Sequence, residues 1–224
     1  MRLRLNVFLA AIALLVTSAC GADVEFGLFS QEPGKFAEIP GRLCILIANN
    51  QDRWKLELAN GQLKANASCN ERGVADSGAL PQQTQVQAYL PEERDIEYRG
   101  PWSLAVDKSL VAASIARRGA NSFVEDEFVI VNVSEKSVVA RVELKPAGFA
   151  VAMSWSPSSK RLAVLYGEEK KGRCGGGGLG AISGHPVRCL TFGVAIFDDR
   201  GSQMAQTEVA RGIPGGGGVI GWLK

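Results

Sequence analysis

The sequence predicts an all-β protein made of antiparallel sheets. Three observations carry that prediction. Runs rich in Val, Ile, Leu and Phe, about four to eight residues long, recur along the chain between turn-forming residues. Beyond the first twenty residues no stretch keeps a helical period; the nearest candidate, Pro91 to Glu97, is short and polar. Two segments of the second half also parallel each other at a spacing of about 50 residues, the length of a four-stranded repeat.

The N-terminus stands apart from the rest. Arg2 and Arg4 precede an apolar run from Val7 to Val16, and the small residues Thr17, Ser18 and Ala19 follow. A charged start, a short apolar stretch and a small-residue exit make a secretory signal. The run is about half as long as the ~20 residues a membrane-crossing helix needs, so residues 1–19 read as a cleaved signal peptide. Cys20 comes next. Val16-Thr17-Ser18-Ala19-Cys20 resembles the bacterial lipobox, with Thr17 where Leu is usual. The resemblance implies that the Cys20 thiol carries a diacylglycerol, that the chain is cut before it, and that the new N-terminus is acylated with a fatty acid such as palmitate. Several acyl chains on one residue give stable anchoring where a single chain gives marginal binding. Gly21 stands where such lipoproteins place Asp for inner-membrane retention, so the resemblance implies an outer-membrane lipoprotein facing the periplasm of a Gram-negative cell envelope. The expected layout is a signal at 1–19, a lipidated linker at 20–40 and an all-β repeat domain at 41–224.

Once the signal is removed, the 25 basic side chains lose Arg2 and Arg4, leaving 23 against 23 acidic ones. A neutral balance gives no electrostatic footprint for nucleic acid, whose affinity comes mainly from phosphate neutralisation. Cys44, Cys69, Cys174 and Cys189 remain after Cys20 is set aside. An even count in an exported chain reads as disulfides. Of the three possible pairings, loop closure favours Cys44–Cys69 with Cys174–Cys189, because short loops cost least entropy. The CxxC pairs and His ligands that mark zinc sites do not occur, so neither a metal nor a cofactor is expected.

Six strands stand out in order: Cys44 to Ala48, Leu110 to Ala116, Phe128 to Val133, Val138 to Leu144, Arg161 to Tyr166 and Phe192 to Phe197. The stretch from Pro101 to Ala112 parallels Ser154 to Val164, with Trp102 and Trp155 53 residues apart and Leu110 and Leu162 52 apart. Val129 to Lys136 parallels Val194 to Gly201, but Ile130 and Ile196 are 66 apart. The excess matches the segment from Cys174 to Cys189, which reads as an insertion closed by a disulfide, so that the strands on either side of it should pair. Trp222 lies 67 residues after Trp155, so a third copy begins as the chain ends.

Trp155-Ser156-Pro157-Ser158-Ser159-Lys160-Arg161-Leu162-Ala163 resembles the W-S-P-D-G-x-x-L-A element of TolB-like and WD40-like propellers, with Ser158-Ser159 in place of Asp-Gly. The resemblance spans Gly100 to Trp222 and implies propeller-blade-like repeats. Val24 to Arg99 match the repeat poorly, which leaves a small propeller, an open stack of sheets and a β-sandwich as alternatives. In each, the tryptophans are expected to be core anchors.

Candidate chemistry is sparse. His185 is the sole histidine and lies in the glycine-rich insertion; no G-x-S-x-G turn supplies a nucleophile for it. Gly175 to Gly178 and Gly215 to Gly218 lack the Lys-Ser/Thr of a phosphate-binding loop. The pairs Glu92-Glu93, Glu125-Asp126-Glu127, Glu168-Glu169 and Asp198-Asp199 sit among turn-forming or charged neighbours, and Asp198 to Gly201 reads as a hairpin turn. The expectation is a membrane-anchored binding or scaffold module for an envelope protein or polymer, without catalytic residues. The competing reading is an envelope hydrolase or lyase using carboxylates such as Glu125 and Asp126.

Overall fold

The computed structural model describes residues 24–29, 34–49, 52–65, 69, 86–117, 127–145, 148–170 and 189–223. In chain order these begin with β1 (Glu25–Phe26), a helical turn α1 (Gly34–Ala37), β2 (Arg42–Ala48), β3 (Arg53–Ala59) and β4 (Gln62–Ala65). A continuous meander follows: β5 (Ile96–Leu104), β6 (Leu110–Arg117), β7 (Glu127–Asn132) and β8 (Ser137–Glu143). A second meander is β9 (Phe149–Trp155), β10 (Arg161–Lys170), β11 (Cys189–Asp198) and β12 (Gln203–Pro214), and β13 (Gly217–Leu223) ends the described chain. All six strands expected from sequence are present, and Pro91 to Glu97 contains no helix.

The strands form three antiparallel sheets, none closed into a barrel. Their orders are β5-β6-β7-β8, β1-β12-β11-β10-β9 and β13-β2-β3-β4. The β9–β12 sheet lies between the other two. One face packs Leu162, Val164, Tyr166 and Phe197 against Phe128, Ile130 and Val142 of the β5–β8 sheet. The opposite face packs Ala163, Leu165, Val194 and Ile196 against Leu43, Ile45, Ile47 and Leu56. Burial on both faces explains why β11 reads as one continuous apolar run rather than an alternation. Each fully buried Leu, Ile, Val or Phe of these two layers contributes about 1.5–3 kcal/mol of transfer free energy.

The repeat is real in the backbone, but its register differs from the tryptophan alignment. The Ala105 N–H donates to the Leu110 carbonyl across the β5–β6 turn, and the Ser156 N–H donates to Arg161 across the β9–β10 turn. Lys108 and Ser159, the third residues after Ala105 and Ser156, both take positive φ, at 60° and 56°. Leu104 pairs with Val111 as Trp155 pairs with Leu162. The equivalent of Trp155 is therefore Leu104, 51 residues earlier, and Trp102 is out of register by two. Strand side chains alternate faces with period two, so the slip keeps both residues on the same face. The Ile130–Ile196 equivalence holds, because Ile130 pairs with Ala112 as Ile196 pairs with Ala163, 51 residues further on.

The third sheet is assembled from both ends of the chain. β13 pairs with β2 along its whole length, from Gly217↔Ala48 to Leu223↔Arg42. The C-terminal strand, expected to begin a third copy, is thus joined to β2, β3 and β4 in one sheet. The segment expected as a linker also contributes to the packed fold. Glu25–Phe26 pairs with Arg211 and Ala210 of β12, and Phe36 and Ile39 are buried in the core. Packing begins well before residue 41.

Candidate functional site

The turns at one end of the sheets carry polar side chains at equivalent positions. Asp107 Oδ1 accepts from the Ser109 hydroxyl at 2.7 Å and its N–H at 3.0 Å, which holds this carboxyl below the usual carboxylate range. Asn132 Oδ1 accepts from the N–H groups of Ser134 and Glu135. At the matching position Asp198 Oδ1 accepts from Arg200 and Ser202. These are Asx turns, in which a short side-chain oxygen satisfies the turn's own backbone donors. The Asp198-Asp199-Arg200-Gly201 hairpin expected from sequence is therefore present, with Gly201 at φ 81°. Asp107 N–H donates to Ser159 Oγ at 3.3 Å, and Lys160 pairs with Asp199 at 3.6 Å, so three adjacent turns touch one another. Exposed Lys108, Glu135, Lys136 and Arg200 surround them. This end offers a polar surface of mixed charge on rigid supports.

A second cluster lies on the outer face of the β5–β8 sheet. Glu93 forms an ion pair with Arg141 of β8, and the Tyr98 hydroxyl of β5 donates to Glu93 at 3.4 Å. Burial, with the negative Glu93 beside it, pushes the Tyr98 phenol up to about 12. The cluster fixes the chain after Leu90 over a patch that includes Val129, Val131 and Val86. A third lies between two sheets: Tyr166, 2% exposed, accepts from Gln206 at 2.8 Å, and Gln206 also donates to the Lys145 carbonyl. Burial pushes the Tyr166 phenol up to about 12 against the opposing effect of the Gln206 bond. The Tyr166 ring crosses Gly193, where any Cβ would fall inside it. Both phenols stay protonated at neutral pH, so they serve as hydrogen-bond groups rather than bases.

Among the described residues, several of the paired carboxylates have separate partners. Glu93 is held by Arg141, Asp198 is used in its turn, and Asp199 meets Lys160. Glu127 stands opposite Glu143, which pairs with Lys145 at 3.3 Å. Among the described residues no group of three His, Cys, Asp or Glu side chains is placed to hold a metal ion. Glu125, Asp126 and His185 lie outside the described residues.

Cys44 and Cys69 form a disulfide of the expected local pairing, with both cysteines buried beside Leu46 and Leu223. Cys189 is also disulfide-bonded. Cys20 and Cys174 lie outside the described residues. The strands flanking the expected insertion pair as neighbours from Arg161↔Asp198 down to Lys170↔Cys189.

What sequence reading missed is the tryptophan bonding. The Trp155 indole N–H donates to the Ser103 carbonyl at 3.1 Å, and the Trp222 indole N–H donates to the Ser154 carbonyl at 3.0 Å. Ser154 is the 51-residue equivalent of Ser103. Each tryptophan therefore ties its strand to the same position of the neighbouring sheet's first strand. Only the pairing register reveals this.

No protein-family model matches the chain, and no curated protein matches it. A solved structure described as "Crystal structure of the eukaryotic initiation factor" is similar at a TM-score of 0.24 and 8% identity, over 90% of this chain and 57% of that one. The chain spans little more than half of that structure's length, and so weak a likeness carries no argument about fold or function.

Proposed function

We propose that this chain is an exported lipoprotein, anchored by lipid on Cys20, whose β domain is a propeller-type binding or scaffold module of the cell envelope. The repeated tryptophan bond is the observation that carries the repeat reading. Trp155 to Ser103 and Trp222 to Ser154 join the first strands of successive four-stranded meanders in the same way. A sheet completed by the last strand of the chain, β13 on β2, supports the same reading, since such closure joins the two ends of a repeat array. In this reading the second disulfide joins Cys174 to Cys189 at the base of the β10–β11 insertion. Gly21 after Cys20 supports outer-membrane sorting and a periplasm-facing domain.

Binding follows from where the polar groups sit. Side chains on loops carried by a rigid scaffold are the usual place for recognition, and the linked turns at Asp107, Ser159 and Asp198 have that support. The test has two arms. Radiolabelled palmitate should enter the wild type and not Cys20→Ala; equal incorporation overturns the anchor. A photo-crosslinker placed at Lys108, Lys160 or Arg200 in the native membrane should capture the same envelope protein or polymer from all three positions. Adducts that differ at random between them overturn the turn surface as a binding site.

A further inference from the structure

From the position of β1 we infer that the domain stands end-on against the bilayer, with the β2–β3 and β12–β13 turns facing the lipid headgroups and the Asp107, Ser159 and Asp198 turns facing away. This rests on lipid attachment at Cys20. The argument is one of chain length. Glu25 is the first residue in register, opposite Arg211 of β12, and β1 runs antiparallel to β12, so β1 is entered from the side of Pro214. Cys20 is five residues before Glu25. Those residues reach at most about 17 Å when fully extended. Three residues of β12, from Arg211 to Pro214, use about 10 Å of that distance along the sheet. The lipid-bearing residue can therefore extend at most about 7 Å past the level of Pro214, and a reach of about 17 Å does not bring it to the level of Gln203, eight residues or about 27 Å the other way along β12.

The same end is defined by independent contacts. Gly217 pairs with Ala48, and Cys189 with Pro214, so the β12–β13 turn, the end of β2 and the start of β11 lie at one level. Asn49 Oδ1 accepts from the Asp52 N–H in the β2–β3 turn beside them. Asp52 and Arg53 are exposed there, which favours resting on hydrated headgroups over entry into hydrocarbon. β1 leaves little slack, because Gly27 and Phe29 continue its bonding to Val209 and Glu208. Arg211 clamps it further, with its guanidinium 4.0 Å from the centre of the Phe29 ring. A tether this short and this firmly held turns a lipid anchor into an orienting device.

The experiment uses the full lipidated protein in phosphatidylcholine vesicles carrying a nitroxide-headgroup lipid as quencher. A bimane label is introduced at Asp52→Cys in one variant and at Lys160→Cys in another. The label at residue 52 should lose most of its emission, and the label at residue 160 should keep most of its own. A long Gly-Ser spacer inserted between Gly21 and Ala22 should abolish the difference, since a flexible tether no longer sets direction. If palmitate is present on the wild type and the two labels are quenched alike, or in reverse order, the orientation is wrong while the lipoprotein reading stands. A difference that survives the spacer also overturns it. If the wild type carries no palmitate, the lipoprotein reading fails, and the orientation fails with it.

Discussion

Removing the Cys44–Cys69 bond should destabilise the protein chiefly through the unfolded chain. The bond closes a loop of 25 residues. The loop-entropy relation for that length gives about 3.5 kcal/mol at 25 °C. Both sulfurs are buried, Cys44 completely and Cys69 at 7% exposure, so the double variant Cys44→Ala/Cys69→Ala also loses some packing beside Leu46 and Leu223. Together the loss should be about 3.5–5 kcal/mol, or a melting point lower by about 7–20 °C for a domain of this size. Urea unfolding followed by tryptophan fluorescence is the assay. It also reads the slope, which should rise in the variant because an uncrosslinked denatured chain exposes more surface. A loss below about 1 kcal/mol with an unchanged slope would show that the bond neither restrains the unfolded state nor holds the β2 face together.

Other consequences are open to direct measurement. Trp222→Phe removes the donor to the buried Ser154 carbonyl and should cost about 2–4 kcal/mol, whereas Trp54→Phe, at a partly buried ring, should cost about 1 kcal/mol; equal losses in urea melts count against the tryptophan tie. Tyr166 holds its proton up to about 12 in the fold and about 10 when unfolded, so its contribution is present below pH 10 and declines, by on the order of 2–3 kcal/mol, as pH rises to 12. Tyr166→Phe should flatten that decline, and an unchanged profile refutes the assignment. Replacing residues 171–188 by an Asn-Gly turn should leave a cooperative melt, because β10 and β11 already pair down to Lys170↔Cys189; a chain that does not fold assigns that segment to the core.

Strand identity was legible because burial on one or both faces leaves a period-two or continuous apolar pattern, as in Phe128 to Val131 and Leu162 to Tyr166. The Cys44–Cys69 pairing was legible from loop length alone. The third sheet was not. Its first strand, Gly217–Leu223, and its remaining three, between Arg42 and Ala65, stand at opposite ends of the chain, and a search for neighbouring repeats cannot join them. Trp102 misled the alignment for a related reason: indole is conspicuous, but the backbone equivalence is set by the turn at Ala105 to Leu110, whose residues share little with Ser156 to Arg161. The polar clusters were invisible because Glu93 meets Arg141 and Tyr166 meets Gln206 across sequence separations of 48 and 40, which only folding closes.

That turn equivalence supports one further prediction with opposite signs at two matching positions. Lys108 and Ser159 occupy the left-handed region at the same place in two repeats, where the W-S-P-D-G element that this sequence resembles carries glycine. A non-glycine residue there costs about 1–2 kcal/mol, while glycine returns about 0.4–1 kcal/mol of that through the greater freedom of the unfolded chain. Lys108 is exposed at the turn, so Lys108→Gly should gain about 0.5–1 kcal/mol. Ser159 is 5% exposed, and its hydroxyl accepts the Asp107 N–H from the neighbouring turn. Ser159→Gly removes that acceptor between sheets, a loss of about 1 kcal/mol or more that offsets the backbone relief. Urea melts of the two variants should therefore move apart, with Lys108→Gly more stable than the parent and Ser159→Gly no more stable. Equal gains at both positions would mean that the Asp107–Ser159 bond does not couple the two turns, and a loss at Lys108→Gly would mean that the two turns are not equivalent.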